Sequence, residues 1–229
     1  MPSAFTQSLL SYARPDGGSA SGYCVASAPE TAPGVVVIQE WWGLTPQIKA
    51  TADQLATQGY RIIVPDLYRG TVATEASEAE KLMNSLDWGE AVSQDIQGAV
   101  NYLVTTGSPS VAVLGFCMGG ALTLLAAAGV TGLSAAVCFY GIPPAEAVDL
   151  SQIKLPLQAH FATDDDWCNA DLIGQLESTL KRGDVRYELH RYEAKHAFMN
   201  ESRPEVYAPE AALTAWGRTY DFLTTQLAN

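Results

Sequence analysis

VAVLGFCMGGAL, residues 111–122, is an apolar run that stops at Gly-Phe-Cys-Met-Gly-Gly and resumes as an alanine- and leucine-rich segment. The first half has the length and branched content of a buried strand, and the segment after Cys117 reads as a helix. A cysteine held between glycines at such a junction has two readings. It packs as a small hydrophobe, or it is a nucleophile on a sharp strand-to-helix turn, with Gly115-Phe116-Cys117-Met118-Gly119 keeping GxSxG spacing and Cys replacing Ser. Small residues on either side suit the second reading, because the turn brings backbones together and strains the nucleophile's dihedrals. A helix N-terminus behind Cys117 also offers free N–H groups and positive dipole, which favour a thiolate and a neighbouring oxyanion.

Working outward, apolar segments of strand length recur at 34–39, 60–66, 134–141, 155–162 and 185–193, alternating with helix-length stretches near 46–58, 75–86, 89–105, 118–129, 169–182 and 209–227. This alternation predicts an α/β fold with a mostly parallel sheet flanked by helices on both faces. QSLLSYA (7–13) and ASGYCVAS (20–27), joined across RPDGGS, predict an N-terminal antiparallel hairpin at one edge. No repeat or linker breaks the chain, so residues 1–229 read as one domain. Ligands of such sheets sit beyond the carboxyl ends of the strands. Those ends carry Glu40-Trp41-Trp42, Asp66-Leu67-Tyr68-Arg69, Cys117-Met118, Thr163-Asp164-Asp165-Asp166 and Lys195-His196.

Composition narrows the function. The net charge of −12, with 13 basic against 25 acidic residues and no basic cluster, would repel a nucleic-acid backbone. No apolar run approaches the roughly 20 residues that span a bilayer, and the opening residues show no secretory leader, so a cytoplasmic address is expected. Cys24, Cys117, Cys138 and Cys168 are too scattered for a disulfide framework and are expected as free thiols, with Cys24 and Cys138 buried and Cys168 partly exposed. Neither metal-ligand spacing nor a phosphate-binding glycine loop is present, so no cofactor and no metal are expected.

A thiol nucleophile needs a base, and the base needs an orienting carboxylate. Cys117 is followed 48 residues on by the middle of the 164–166 aspartate run and, 31 residues beyond Asp165, by His196. The order nucleophile, acid, histidine is one in which such triads occur. Of the other histidines, His160 lies inside a strand and reads as packed, and His190 on a charged face reads as solvated. Spacing alone leaves Asp164, Asp165 and Asp166 as equal candidates.

VVVIQEWWGL, YRIIVPDLYRG, VLGFCMGGAL, HFATDDDWC and HAFMNESRPEVY, in this order and over nearly the whole length, resemble the dienelactone hydrolase family of α/β hydrolases. The resemblance implies a hydrolase of a small activated ester or lactone, with Cys117 as nucleophile, His196 as base and Asp165 as the orienting acid. It also implies that Glu40 contacts the resting cysteine and that the backbone N–H groups of Trp41 and Met118 bind the oxyanion. Trp42 and Trp167 are expected to line a substrate pocket, and Arg69 and Arg203 are candidates for binding an anionic group. Family members that act on dienelactone clamp its carboxylate with an arginine and a tyrosine; here Ala76 and Glu80 stand at roughly those places, with Lys81 the nearby cation. A neutral or weakly anionic substrate is therefore expected. The rival readings are a redox thiol, which lacks an adjacent resolving cysteine, and a catalytically silent binding module, which has no reason to keep all three triad residues. A monomer or small homo-oligomer is expected.

Overall fold

A computed structural model describes residues 6–26 and 29–228. Eight strands form one sheet: β1 (Thr6–Ala13), β2 (Ser19–Ala26), β3 (Gly34–Ile38), β4 (Arg61–Pro65), β5 (Val111–Phe116), β6 (Ala135–Phe139), β7 (Leu157–Asp164) and β8 (Tyr187–Lys195). Their order is β1-β2-β4-β3-β5-β6-β7-β8, antiparallel through β1, β2 and β4 and parallel from β4 to β8. This is the expected mostly parallel sheet with its N-terminal hairpin. Ser27, the last residue expected in the second strand, lies outside the described residues.

Helices cover both faces because the central strands are apolar on both. Along β3, Val36 and Ile38 join one core layer and Val35 and Val37 the other. The first layer is completed by α4 (Gln97–Thr105), α5 (Met118–Gly129) and α6 (Ala170–Arg182), and the second by α1 (Pro46–Thr57) and α7 (Pro209–Leu227). Local signals set the helix ends. Thr45 caps α1 by accepting from the Ile48 N–H, with Pro46 in the first turn, and Asn169 caps α6 by accepting from Leu172 N–H.

The helix expected over 89–105 differs from a regular one. It begins as α3 (Trp88–Glu90), continues through a π-helical turn (Ala91–Ile96) and only then enters α4. Within the turn, buried Asp95 receives both a bidentate contact from Arg69 (2.8 and 2.9 Å) and a bond from the Tyr12 hydroxyl to its carbonyl (3.1 Å). One extra residue per turn aims Asp95 at partners on two other segments. Preceding it, α2 (Ala76–Ser85) buries only Ala79.

The chain leaves β3 toward β4 on one side and returns to β5 on the other. That change of direction opens a crevice at the carboxyl ends of β3 and β5. Glu40, Trp41 and Cys117 follow those two strands.

Candidate active site

Cys117 sits between β5 and α5 at φ 56° and ψ −117°, outside the regions a non-glycine residue ordinarily occupies. Its neighbours hold it there. Cys117 N–H donates to the Phe139 carbonyl (3.0 Å), and its carbonyl accepts from Ala121 N–H (3.1 Å). The flanking glycines are required by close approach: a Cβ on Gly115 would lie 2.1 Å from the Gly119 carbonyl oxygen, and one on Gly119 would lie 2.4 Å from that of Ile38 and 2.5 Å from that of Gln39. The side chain projects into a cavity of about 360 Å³ at the start of α5, where the helix dipole is positive.

His196 follows β8 directly. Its Nε2 lies 3.2 Å from Cys117 Sγ and its Nδ1 lies 2.7 Å from Asp165 Oδ2. The second oxygen of Asp165 accepts from the N–H groups of Trp167 (2.8 Å) and Cys168 (3.0 Å). Asp165 is 7% exposed, whereas Asp164 and Asp166 are exposed and make no bond to His196. Of the three carboxylates, the fold therefore joins Asp165 to the imidazole. Burial pulls the His196 pKa down, but the bonds to Asp165 and Cys117 and their charges outweigh it and lift the imidazole to about 10. Burial likewise pushes the Asp165 carboxyl up; the bond and charge of His196 and the two backbone donors overcome it and hold the carboxyl below its ordinary value.

Glu40 is buried and lines the same cavity as Cys117, with its hydrogen bonds made to other partners. Its oxygens accept from the Tyr140 hydroxyl (3.3 Å) and from Asn200 Nδ2 (2.7 Å), and among the described residues it makes no hydrogen bond to the thiol. The physical reason is a fitted polar niche: Tyr140 and Asn200 are themselves buried, and each needs a partner. Burial raises the Glu40 pKa, opposed by Asn200, His196, Arg203 and Tyr140. Tyr140 also packs edge-on to the His196 ring at 5.1 Å. Neither Tyr140 nor Asn200 was among the candidate residues. Tyr140 does carry a signal, since it is the first residue after β6 and so stands at a strand's carboxyl end.

The N–H groups of Trp41 and Met118 have no acceptor among the described residues, and both residues line the cavity with Cys117. Trp41, Trp42, Trp88 and Trp167 form an aromatic wall together with Met83, Ile142 and Val206. Arg203 reaches the cavity, with its guanidinium over the Trp42 ring (5.8 Å) and its Nε bonded to Glu205 (2.8 Å).

Arg69 does not reach it. Its guanidinium turns to Asp95 and to the Asp66 carbonyl (3.2 Å), and it is absent from the residues that line the cavity. Its backbone has φ 52°, in a turn that Asp66 closes by accepting from Tyr68 N–H (3.3 Å) and Gly70 N–H (2.7 Å). Ala76, Glu80 and Lys81 lie exposed on α2 and do not line the cavity either; Met83, on the same helix, does. Two further expectations are corrected. Cys168 is 3% exposed rather than partly open, because the acid loop folds its side chain into the core layer. His190 is half-buried against His160 (5.3 Å between rings) instead of solvated, and burial holds its pKa below the usual value. Cys24 and Cys138 are buried as expected.

A cysteine on a strained strand-to-helix turn of a mostly parallel sheet, with a histidine and a buried acid brought to it from later strands, is the arrangement of the α/β-hydrolase fold. The dienelactone hydrolase family model matches residues 21–227, and the chain belongs to that family, whose members hydrolyse ester or lactone bonds. It is 33% identical over 225 residues to Protein usf of Aquifex pyrophilus, covering 93% of this chain and 96% of that protein. It is 31% identical over 222 residues to a putative carboxymethylenebutenolidase of Aquifex aeolicus, again covering 93% and 96%. The crystal structure of a putative dienelactone hydrolase from Klebsiella pneumoniae superposes with a TM-score of 0.86 at 23% identity, over 99% of this chain and all of that one, which shows the shared fold. No helix among the described residues is long and apolar enough to cross a membrane.

Proposed function

We propose that the protein hydrolyses small, activated, neutral esters or lactones through a covalent thioester on Cys117. The observation that carries this reading is the hydrogen-bonded line Asp165–His196–Cys117, with contacts of 2.7 and 3.2 Å, at the floor of the cavity. Cys117 Sγ attacks the substrate carbonyl, and the N–H groups of Trp41 and Met118 hold the oxyanion. His196 delivers a proton from Nε2 to the departing oxygen. It then takes a proton from water, whose oxygen attacks the thioester and expels Cys117 as the thiolate beside the protonated imidazole, the pair from which the cycle began. Asp165 keeps the imidazole oriented throughout. Glu40, held by Tyr140 and Asn200, fixes the wall beside the thiol. Residues 1–229 act as one domain.

The name carboxymethylenebutenolidase carried by relatives points to a lactone substrate. The neutral charge class rests on the cavity lining, where Arg203 is the one cation besides His196 among the described residues and is already engaged by Glu205 and Trp42.

Mass spectrometry of the enzyme quenched during turnover of an activated ester tests the reading. The acyl group is expected on the peptide that contains Cys117, and neither Cys117→Ala nor His196→Ala should turn over. The double variant should lose little more than either single one, because the residues act as a unit. Full turnover by Cys117→Ala would refute the nucleophile.

A further inference from the structure

We propose that the cavity selects aryl esters, taking the ring of a phenolic leaving group against its tryptophan wall, and that Trp167 sets this preference. The inference rests on the thioester reading and adds a substrate class to it. Two independent lines meet here, one chemical and one geometric.

The chemical line starts from the nucleophile. After attack by sulfur, the tetrahedral intermediate expels whichever group leaves better. A thiol ionises near about 8.5 and a phenol near about 10, whereas water ionises near about 15.7 and a simple alcohol resembles it. An alkyl ester therefore returns the thiolate and stays intact, whereas a phenoxide lies within about 1.5 units of the thiolate, a gap that protonation by His196 closes so that the aryl ester partitions forward. Electrons and protons balance without a co-reactant. The C–S bond forms, the C–O(aryl) bond breaks with its electron pair on the phenoxide oxygen, and the His196 Nε2 proton goes to that oxygen. Water then supplies the hydroxyl of the acid and the proton that restores His196, and the C–S bond breaks with its pair on sulfur.

The geometric line is the wall. Trp41 stands edge-on to Trp42 (5.3 Å, 71°) and edge-on to Trp167 (5.9 Å, 69°), so rings meet at right angles around the cavity. Trp167 is 60% exposed; its backbone N–H is tied to Asp165 and its ring lies 5.9 Å from that of Trp41 and 6.3 Å from that of His196. A large ring at the mouth, continuous with an aromatic wall rather than isolated on the surface, leaves a face for a second flat ring. The volume of about 360 Å³ suits a single small ligand. His196 protonates the departing oxygen and the Trp167 ring lies beside the His196 ring (6.3 Å), so the ring that meets Trp167 belongs to the departing alcohol.

The test compares phenyl acetate, vinyl acetate and methyl benzoate, each rate divided by that of the same ester with a small free thiol. Vinyl acetate has an activated enol leaving group without a ring, and methyl benzoate has a ring on the acyl side. The corrected kcat/KM should favour phenyl acetate over both. Trp167→Ala should lower the phenyl-to-vinyl ratio up to about tenfold, the size of an aromatic contact, and Trp167→Phe should restore most of it. An unchanged ratio in Trp167→Ala, or a preference for methyl benzoate, would overturn the inference while leaving the thioester mechanism standing. Equal rates in wild type and Cys117→Ala would overturn both.

Discussion

Asp165→Asn replaces one oxygen by an amide and leaves the shape of the acid loop intact, so it isolates the electrostatic work of the carboxylate. The imidazole of His196 is lifted from 6.5 to about 10, a net rise of about 3.5 units that Asp165 and Cys117 produce against the opposing effect of burial. At about 1.4 kcal/mol per unit, that net rise favours the protonated ring by roughly 5 kcal/mol. A paired carboxylate accounts for about one to three of those units. Histidine-selective NMR titration reads this directly, because the three imidazoles fall apart. His160 is fully buried between Tyr192 and Gln158 and held well below 6.5 by burial, with help from His190 and Arg218, so it stays neutral. His190 titrates below 6.5, and His196 remains protonated toward pH 10. In Asp165→Asn only the His196 curve should move, downward by about one to three units, and turnover should fall by about 10⁴ as the tautomer is lost. Stability follows with a defined sign. A raised histidine stabilises fully below pH 6.5 and loses that contribution as pH rises through about 10, while the depressed Asp165 loses its own as pH falls through and below 3.8. The gap between wild type and Asp165→Asn should thus be widest between these limits, at roughly 1.4–4 kcal/mol, and close toward alkaline pH. A wild-type His196 that titrates at or below 6.5, or a variant whose curve does not move, would refute the reasoning.

Gly119→Ala drives a Cβ into the Ile38 and Gln39 carbonyl oxygens, which cannot give way without moving the end of β3. Differential scanning calorimetry should show a loss of about 3 kcal/mol or roughly 10 °C, with activity lost as well, whereas Gly129→Ala, with nothing within 4 Å, serves as the neutral control. Asn200→Ala removes one of the two bonds to the buried Glu40 carboxylate, at a cost of about 1–3 kcal/mol. Because Asn200 holds the Glu40 pKa down against burial, its loss raises that pKa further, so denaturant titrations should show a gap that is small near pH 4 and widens as pH rises. A gap independent of pH would mean that Glu40 is not ionised in the native protein.

What could be read from the chain before its structure is what short segments encode. The elbow was legible because a glycine–cysteine–glycine pattern between an apolar strand and a small-residue helix has few other uses, and the sheet was legible from the alternation of segments. The distinction among three consecutive aspartates was not, since each offers the same carboxylate. It emerges only in the folded loop, where the β7–β8 pairing shifts register between Ala162 and Asp164 and the next residue, Asp165, is buried between two exposed neighbours. The fate of Arg69 depended on Asp95, 26 residues away and aimed by a π turn that no local pattern announces. Tyr140 and Asn200 escaped notice because their role is defined by a third residue, Glu40, 100 and 160 positions distant. Cys168 looked exposed from its neighbours in sequence and is buried by its neighbours in space.

The strand order has a consequence for how activity arises during synthesis. Beyond β3, the strands β5, β6, β7 and β8 lie in the sheet in the order in which a ribosome makes them. The cysteine arrives on β5, but the acid follows β7 and the histidine follows β8, 79 residues after the cysteine. A nascent or truncated chain can thus build the elbow and much of the core while its thiol has no imidazole beside it. On the proposed mechanism, hydrolysis begins only when the last strand of the sheet docks at the edge. β8 is one of two edge strands, with β1 at the other side, and an edge strand has one neighbour where an inner strand has two. The line from acid to thiol therefore closes last, and turnover reports that the far edge of the sheet has docked.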